Sequence, residues 1–276
     1  MSLKDFGVLD EKLVFSTRSK FLQNYQKEAD SCYAEDIQKV LQDDWFIKRF
    51  LILTFKNEDK AVNMLINALK WRKMFGLRTF CDNYFPAELF KIGALFLYEE
   101  DINGLPTLYI RISMLKKVPE ITEILRQFLI YHIFKIDEKA DGTGWTIIAD
   151  FTNCGYSAYE HLDELRFVIF VLHHYFPAGV DCVIVHHLPW VLKALWNVVR
   201  YWIPAKKRKA VKFTSGDQIY QYVKRENLPD FMGGTCDRDY KKAPMGCPTA
   251  RDFGIEKLGL NEETVKKIIN LYKEYL

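Results

Sequence analysis

Residues 182–190 read CVIVHHLPW, in which four small or branched apolar residues run into two histidines and then a proline. A short, continuous apolar run of this kind is typical of a strand that is buried on both faces, as in a parallel sheet. The paired imidazoles of His186 and His187 at its end are compatible with metal binding, with catalysis, or with a position beside a molecule that enters the protein from outside. The rest of the chain bears on these three alternatives.

Composition narrows the class of protein. The chain has 276 residues, is 49% hydrophobic and carries a formal net charge of +3, so it can bury one large core or two small ones and is not expected to be disordered. It has no basic stripe interleaved with aromatics, so nucleic acid is not an expected partner.

Six cysteines lie scattered without a C-x-x-C pair, as in a reduced, cytosolic protein. The N-terminus, MSLKDFGVLDEKL, lacks a signal-peptide core, and no window approaches the roughly 18 apolar residues of a spanning helix. We expect a soluble, cytoplasmic chain, either whole or part of a longer anchored protein.

The chain divides into two regions that differ in the pattern of their apolar residues. Residues 1–95 lack strand-like alternation and predict a helical lobe, with its best helix over 57–75 and a shorter one opening at 43–46. From residue 96, short apolar runs alternate with helical periods, and Asn103-Gly104 supplies a hairpin turn. This pattern predicts an α/β fold: the N-terminal helical lobe, then a mixed, mostly parallel sheet with helices. The expected divisions are 1–95, 96–235, and a C-terminal tail with a terminal helix over 236–276.

Residues with catalytic or metal-binding potential are sparse. No phosphate-binding loop, dinucleotide fingerprint or nucleophile elbow occurs in the sequence. Because adjacent strand residues point to opposite faces, at most one of His186 and His187 can join a given metal cluster. Asp150, which ends WTIIAD, can pair with a histidine as an acid–base couple, but capping of the following turn is favoured. We therefore expect no metal, no cofactor and no enzymatic activity.

The helix predicted after Pro189 is apolar nearly all round. The sequence PWVLKALWNVVRYWI, residues 189–203, is followed by a basic run of four residues, Lys206, Lys207, Arg208 and Lys209. An all-round apolar helix is either fully buried or moves between a protein face and a lipid face. A basic turn alone is more often a solvated surface, but behind this helix it favours contact with an anionic membrane.

An ordered set of motifs resembles the CRAL-TRIO family of lipid-binding proteins. The motifs extend from about residue 43 to residue 234 and comprise DWFIKRFL with LKWR downstream, Asp101 with Gly104-Leu105-Pro106, YFP at 175–177, LPW at 188–190 and NLPDFMGGT at 227–235. The sequences PWVLKALW, KFTS and LPDFMGGT also carry a narrower likeness to one member of the family, in which a partner-binding domain and a membrane anchor follow.

The resemblance implies a deep apolar cavity with the CVIV strand as its floor and the following helix as a movable gate. It places three groups of residues at this site. The expected cavity residues are Ile148, Asp150, Val183, Val185 and His187. The expected gate residues are Trp190, Leu195, Val199 and Trp202. The expected membrane-docking residues are Lys206, Lys207, Arg208 and Lys209. By strand parity Val183, Val185 and His187 share one face, and His187 stands where the family usually has Asn.

The resemblance therefore implies an intracellular protein that binds and transfers a hydrophobic small molecule or a phospholipid and docks transiently on anionic membranes. Organelle membrane proteins are further expected partners, and the expected location is cytoplasmic and peripheral at membranes. One alternative is a module that tethers a membrane or partner and has a non-transferring cavity; another is an enzyme acting on a bound small molecule.

A final expectation concerns the lipid headgroup. The positions that bind phosphatidylinositol in one branch of the family fall here on Thr54, Phe55, Ala178, Lys206 and Lys209, and only Lys209 matches. An inositol phosphate needs charge-assisted donors, so we expect this chain not to select phosphatidylinositol, with His187 as a possible polar contact for another lipid.

Overall fold

The chain forms helices at both ends and a central sheet. The computed structural model describes residues 9–276, so the first eight residues of the predicted lobe, including the start of the stretch considered as a signal peptide, lie outside the described residues. The α-helices are α1 (Glu11–Tyr25), α2 (Ala34–Gln42), α3 (Asp44–Leu53), α4 (Glu58–Met74), α5 (Ala87–Ile92), α6 (Thr122–Ala140), α7 (Leu162–His174), α8 (Lys193–Trp202), α9 (Ala250–Glu256) and α10 (Glu262–Leu271). The strands are β1 (Leu95–Glu100), β2 (Pro106–Arg111), β3 (Trp145–Asp150), β4 (Val180–His186) and β5 (Val211–Thr214).

The predicted helices of the N-terminal lobe are present with their caps. The side chain of Asn57 accepts a hydrogen bond from the Lys60 amide at 3.0 Å and starts α4, and Asp43 caps α3 through the Trp45 amide. The apolar stripe of α4 is buried with residues of α1, α2 and α3 in one core cluster. Helix α5 packs instead in the core cluster of the sheet. The division at residue 95 remains a prediction, because the packing of the helices changes before it.

The sheet has five strands in the order β1-β2-β3-β4-β5. Strands β1 and β2 form the antiparallel hairpin predicted around Asn103-Gly104, and every later pair is parallel. The helices α6, α7 and α8 connect the parallel strands. Because consecutive strands are neighbours and such crossovers share one hand, the connecting helices belong on one side of the sheet. The predicted mixed, mostly parallel α/β fold is confirmed.

Alternate strand residues give the sheet two faces. The helical face carries two apolar rows in register: Leu95, Ile110, Ala149, Val185 and Phe213, then Leu97, Leu108, Ile147, Val183 and Val211. Most of these residues pack in one cluster with α6 and α7. The opposite face, called here the C-terminal face, carries Phe96, Tyr109, Ile148 and Ile184 and is covered by apolar residues of 219–240.

The predicted C-terminal tail, residues 236–276, packs back on the sheet domain. The Tyr98 hydroxyl of β1 donates to the backbone carbonyl of Arg238 at 2.8 Å, which attaches the start of the tail to the hairpin. Further on, Phe253 of α9 and Tyr272 beyond α10 are buried in the cluster that contains α5 and α6. The predicted terminal helix is α10, and the tail helps to close the core.

Candidate functional site

The helical face is an apolar floor whose cover thins toward β5. In the row that begins at Leu95, that first residue is buried, whereas Ile110, Ala149 and Val185 are only half-buried and Phe213 is 46% exposed. Half-buried apolar residues in the middle of a sheet indicate that the helices above do not fill the space over them. The candidate site is the space between this floor and the helices.

A short helix and α8 form the roof. Residues 190–192 make one 3₁₀ turn and lead into α8, and together they are the gate helix. Leu192, Leu195 and Val199 face inward with at most 7% of their surface exposed. They pack with apolar residues of α7 and of the segment before it, including Ala158, Leu162, Leu165 and Ile169. Two predicted gate residues, Leu195 and Val199, are thus buried on the inner side, and Trp202 packs against the same cluster half-buried.

The outer side of the gate helix is also apolar. Trp190 is 77% exposed, Val198 49% and Tyr201 69%, and Lys193 lies on the same side. The all-round apolar character seen in the sequence therefore divides into an inward stripe and an outward stripe. Trp190, predicted as a gate residue, belongs to the outward stripe and lies outside the cluster around Leu192, Leu195 and Val199.

A groove opens where the gate helix meets the sheet edge. It has a volume of about 480 Å³ and is lined by Val185 and His187 from β4 and its end, by Trp196 and Asn197 of α8, and by Phe213 of β5. The rings of Trp196 and Phe213 meet edge to face with their centroids 5.1 Å apart. This aromatic pair is the contact between roof and floor at the open edge.

A second pocket lies at the other end of the same floor. It has a volume of about 230 Å³, and its wall includes Ile110, Met114 and Leu129. Arg126 of α6 donates two hydrogen bonds of 2.8 Å to the carboxylate of Glu164 on α7, beside this pocket. The register row from Leu95 to Phe213 passes from this pocket to the groove, so both belong to one apolar surface.

The two histidines of the opening motif point to different surroundings. His186 is 4% exposed on the C-terminal face, and its Nδ1 lies 2.9 Å from the Thr214 hydroxyl. Burial lowers the pKa of His186 to about 4, so it is neutral at physiological pH. His187 is exposed at the groove, and its Nε2 accepts a hydrogen bond from the Gly216 amide at 2.8 Å. This bond fixes the residue after the end of β4 to the turn after β5.

The register separates the five residues predicted for the cavity. Val183 and Val185 lie on the helical face, with His187 at its end. Ile148 pairs with Ile184 on the C-terminal face and is fully buried there, so it does not line the same wall. Asp150 lies beside His186 on that face, and its Oδ1 accepts from the amide and hydroxyl of Thr152, which is the capping role favoured from the sequence.

The basic run is split by its 3₁₀ helix, Ala205–Ala210. Lys206 and Lys209 are exposed, and the Lys206 amine lies 4.4 Å from the ring centroid of Phe55. Lys207 turns inward, and burial, with the charge of Arg49 nearby, lowers its pKa. Arg208 is half-buried and donates from Nε to the Ile203 carbonyl. Two of the four predicted docking residues therefore face solvent freely.

Several residues of the site were missed from the sequence. Ile147 and Ala149 of β3 lie on the floor beside Val183 and Val185, one position away from the residues that were predicted. Trp196 and Phe213 form the edge contact of the groove. Phe213 occurs in KFTS, which was noted only as a motif. Its position in a strand that pairs with β4 was not predicted.

Neither metal binding nor a spanning helix finds support in the described part of the chain. Residues 9–276 contain no group of three or more His, Cys, Asp or Glu side chains placed to hold a metal ion. Within the same range, no helix is long and apolar enough to cross a membrane.

An apolar sheet face under a helix with apolar residues on both sides defines an α/β domain with a partly covered hydrophobic surface. The particular family follows from sequence comparison, in which the CRAL/TRIO domain matches residues 90–234, just over half of the chain. The chain belongs to the CRAL/TRIO domain family, which is a family of lipid-binding and lipid-transfer proteins. The family predicted from the motifs is confirmed.

Curated relatives extend the match beyond this domain. A CRAL-TRIO domain-containing protein of Schizosaccharomyces pombe, C3H8.02, is 26% identical over 239 residues, which cover 79% of this chain and 53% of the relative. The Sec14 cytosolic factor of the same yeast is 25% identical over 227 residues, 74% of this chain and 77% of that protein. The phosphatidylinositol/phosphatidylcholine transfer protein SFH4 of Arabidopsis thaliana is 23% identical, and the chain spans 36% of its length.

Among solved structures, the crystal structure of Sfh5 has the same fold. It superimposes with a TM-score of 0.60 over 95% of this chain and 99% of that chain, at 17% sequence identity. The match includes the N-terminal lobe and the sheet domain in one arrangement.

Proposed function

We propose that this chain binds a hydrophobic ligand between the helical face of its sheet and the gate helix, and transfers it between membranes. The observation that carries this proposal is the row of half-buried apolar residues, Ile110, Ala149 and Val185, under a roof that does not fill the space above them. A lipid chain leaves a bilayer only when a protein replaces its apolar surroundings, at about 0.8 kcal/mol per CH₂ group relative to water. An apolar sheet face under a helix that can move away from it meets that requirement.

The outward stripe of the gate helix supports docking on a membrane. Exposed Trp190 and Tyr201 are side chains suited to the membrane–water interface, and Lys206 and Lys209 add charge that anionic headgroups attract. Lifting the gate at a bilayer exchanges the inward contacts of Leu195 and Val199 for lipid contacts at small net cost. The protein is accordingly cytoplasmic and peripheral at membranes.

The headgroup preference follows from what occupies the positions used by the phosphatidylinositol-binding branch. Phe55 lies under the Lys206 amine, and Ala178 supplies no polar side chain. Phe55 and Ala178 offer no charged side chain, so the charge-assisted hydrogen bonds that hold an inositol phosphate have no partner at these two positions. The ligand is therefore a neutral lipid or a phospholipid other than phosphatidylinositol, although one relative is named for transfer of phosphatidylinositol and phosphatidylcholine.

The proposal includes a resemblance to one particular member of the family. The order PWVLKALW, KFTS and LPDFMGGT resembles the N-terminal, lipid-binding half of motile sperm domain-containing protein 2. In a protein of that kind the domain works beside a membrane anchor and a partner-binding domain. A tethering role, with a cavity that holds lipid but does not transfer it, is then the second candidate function, with organelle membrane proteins as partners.

Extraction of the purified protein with organic solvent, followed by mass spectrometry, tests the proposal. We expect one lipid per chain, and a variant with the floor filled, Ala149→Trp, to lose it while Ile148→Val on the opposite face retains it. A fluorescence assay of transfer between donor and acceptor vesicles then separates the two candidates, since a tether holds lipid without moving it. A chain that is empty after purification and takes up no lipid from vesicles refutes both.

A further inference from the structure

The junction between β4 and the gate helix depends on one unusual residue. His187 has φ of 55°, in the left-handed region that is disfavoured for a side chain with a Cβ atom. It follows the last residue of β4 and is separated from the gate helix only by Leu188 and Pro189. Because proline fixes its own backbone, a rotation of the gate relative to the sheet falls largely on the residues just before it.

Two hydrogen bonds hold His187 in this conformation, one to the last residue of β5 and one to the turn that follows it. Its backbone amide donates to the Thr214 carbonyl at 2.8 Å, and its Nε2 accepts from the Gly216 amide at 2.8 Å. The second is called here the hinge bond. Since Nε2 is the acceptor, its lone pair must be free, so the imidazole is neutral with its proton on Nδ1.

Protonation of this imidazole removes the acceptor. A protonated Nε2 presents an N–H group to the N–H group of Gly216, and the hinge bond is replaced by repulsion between two donors. Histidine is the side chain whose charge changes within the physiological pH range. The remaining bond, through the His187 backbone amide, does not depend on pH and leaves the strand end attached.

The charged and titratable groups around His187 do not counteract this change. On the sheet, His186 lies next to it with the ring centroids 4.1 Å apart, and Asp150 lies beyond His186 on β3. Lys193 of α8 lines the same groove, and Asp217 follows Gly216 in the chain. No carboxylate within the described residues forms an ion pair with His187 that would preserve the closed geometry after protonation.

We propose that His187 is a proton-operated latch: in its neutral form it holds the gate helix against the sheet edge, and in its protonated form it releases the hinge. The latch acts on the lipid site and so rests on the proposed function. An anionic membrane surface attracts protons as it attracts other cations, so docking itself favours the released form. Ligand exit is thereby coupled to arrival at a membrane.

Nuclear magnetic resonance tests the hinge bond without any ligand. The Gly216 amide proton of the wild-type chain should shift upfield as the pH falls, with the same midpoint as the His187 Nε2 resonance. In His187→Gln the side-chain oxygen reaches the position of Nε2 and still accepts from Gly216 but does not titrate, so the amide should stay in place. A Gly216 resonance that does not follow the His187 titration overturns the latch.

Release of a pyrene-labelled phosphatidylcholine into neutral phosphatidylcholine vesicles tests the consequence. Loss of one hydrogen bond should speed release about three- to tenfold at pH 5.5 relative to pH 7.5 in the wild-type chain. His187→Gln should lose this dependence, whereas His174→Gln on α7, far from the hinge, should keep it. Full pH dependence in His187→Gln contradicts the latch. If no variant binds the probe, the lipid function fails, and the resonance titration still decides the latch.

Discussion

The two faces of the sheet are built from alternate residues of the same strands, and they are covered to different degrees. On the C-terminal face, Tyr109, Ile148 and Ile184 have no measurable exposure and pack against aromatic and aliphatic residues of 219–240. On the helical face, the row from Leu95 to Phe213 passes from a buried residue on β1 through half-buried residues to one that is 46% exposed on β5. One face is thus a completed core, and the other is a surface with room for a ligand. Stability and binding are assigned to opposite sides of one sheet.

The largest expected effect is a difference in stability between matched truncations on the two faces. Ile184→Ala removes a fully buried side chain from the C-terminal face and should lower the free energy of unfolding by about 3–5 kcal/mol. Ile110→Ala, on the half-buried helical face, should cost about 1–2 kcal/mol because less surface and packing are lost. Urea unfolding of both variants measures this difference. Equal losses would mean that the floor is as tightly packed as the opposite face.

Acid should weaken both sides of the sheet. Burial lowers the pKa of His132, in α6, and of His186, on the C-terminal face, to about 4 each. The unfolded chain then binds protons that the folded chain does not, so stability is full above about pH 6.5 and falls as the pH drops toward 4. Each histidine should cost about 2–3 kcal/mol by pH 4.5.

Urea unfolding at a series of pH values between 7 and 4.5 measures this slope. Replacement of His132 by Leu should remove about half of it, and His186→Asn, which can still bond to Thr214, should remove much of the rest. The buried Asp137 carboxylate, whose pKa the Arg49 guanidinium keeps low, contributes only below this window. A flat profile from pH 7 to 4.5 would show that neither imidazole is held neutral by burial.

Neighbouring substitutions in the gate helix separate its inner and outer roles. Val199→Asp places a carboxylate on the inward stripe and should reduce vesicle-to-vesicle transfer by about tenfold or more, with loss of copurified lipid, because an unpaired buried charge opens the roof. The double variant with Trp202→Asp should be more severe, with the fold retained by circular dichroism. Val198→Asp, on the outward stripe, should slow transfer through weaker membrane contact and keep the lipid. Identical lipid contents in the two single variants would show that the inward and outward residues of the helix do not have separate roles.

The smallest expected effect concerns the basic run. Exposed Lys206 and Lys209 should each contribute roughly 1 kcal/mol to binding of anionic vesicles, about fivefold per charge. The inward Lys207 should contribute little, so Lys207→Gln is the matched control for Lys206→Gln and Lys209→Gln. Co-sedimentation with phosphatidylserine vesicles at low and physiological salt measures these contributions. Equal effects at the three positions would indicate a run that unwinds at the membrane.

Most of the fold was readable in the sequence because its segments carry strong local signals. Asn57 marks the start of α4, Asn103-Gly104 marks the hairpin turn, and the apolar runs at 145–151 and 182–185 mark the central strands. Strand β5 was missed, since four residues with one lysine give no periodic signal. Its place in the sheet comes from pairing with β4, which is a tertiary contact.

The site was harder to predict than the fold, and the errors have physical causes. In WTIIAD both faces are apolar, so parity alone does not reveal which residues face the helices, and Ile148 was chosen in place of Ile147 and Ala149. The inward turn of Lys207 depends on its 3₁₀ helix and on what packs against it. His187 lies on the groove side because it follows the last residue of β4, where strand parity continues the face of Val183 and Val185.

The order of strands across the sheet is also their order along the chain, which has a consequence for synthesis on the ribosome. Each strand can pair with the one completed just before it, so the sheet can grow in the direction of translation without waiting for a more distant strand. The cover of the C-terminal face, residues 219–240, emerges after all five strands. At about 5–20 residues per second, the aromatic surface around Tyr109 waits uncovered for several seconds, and that interval is when a nascent chain most needs a chaperone.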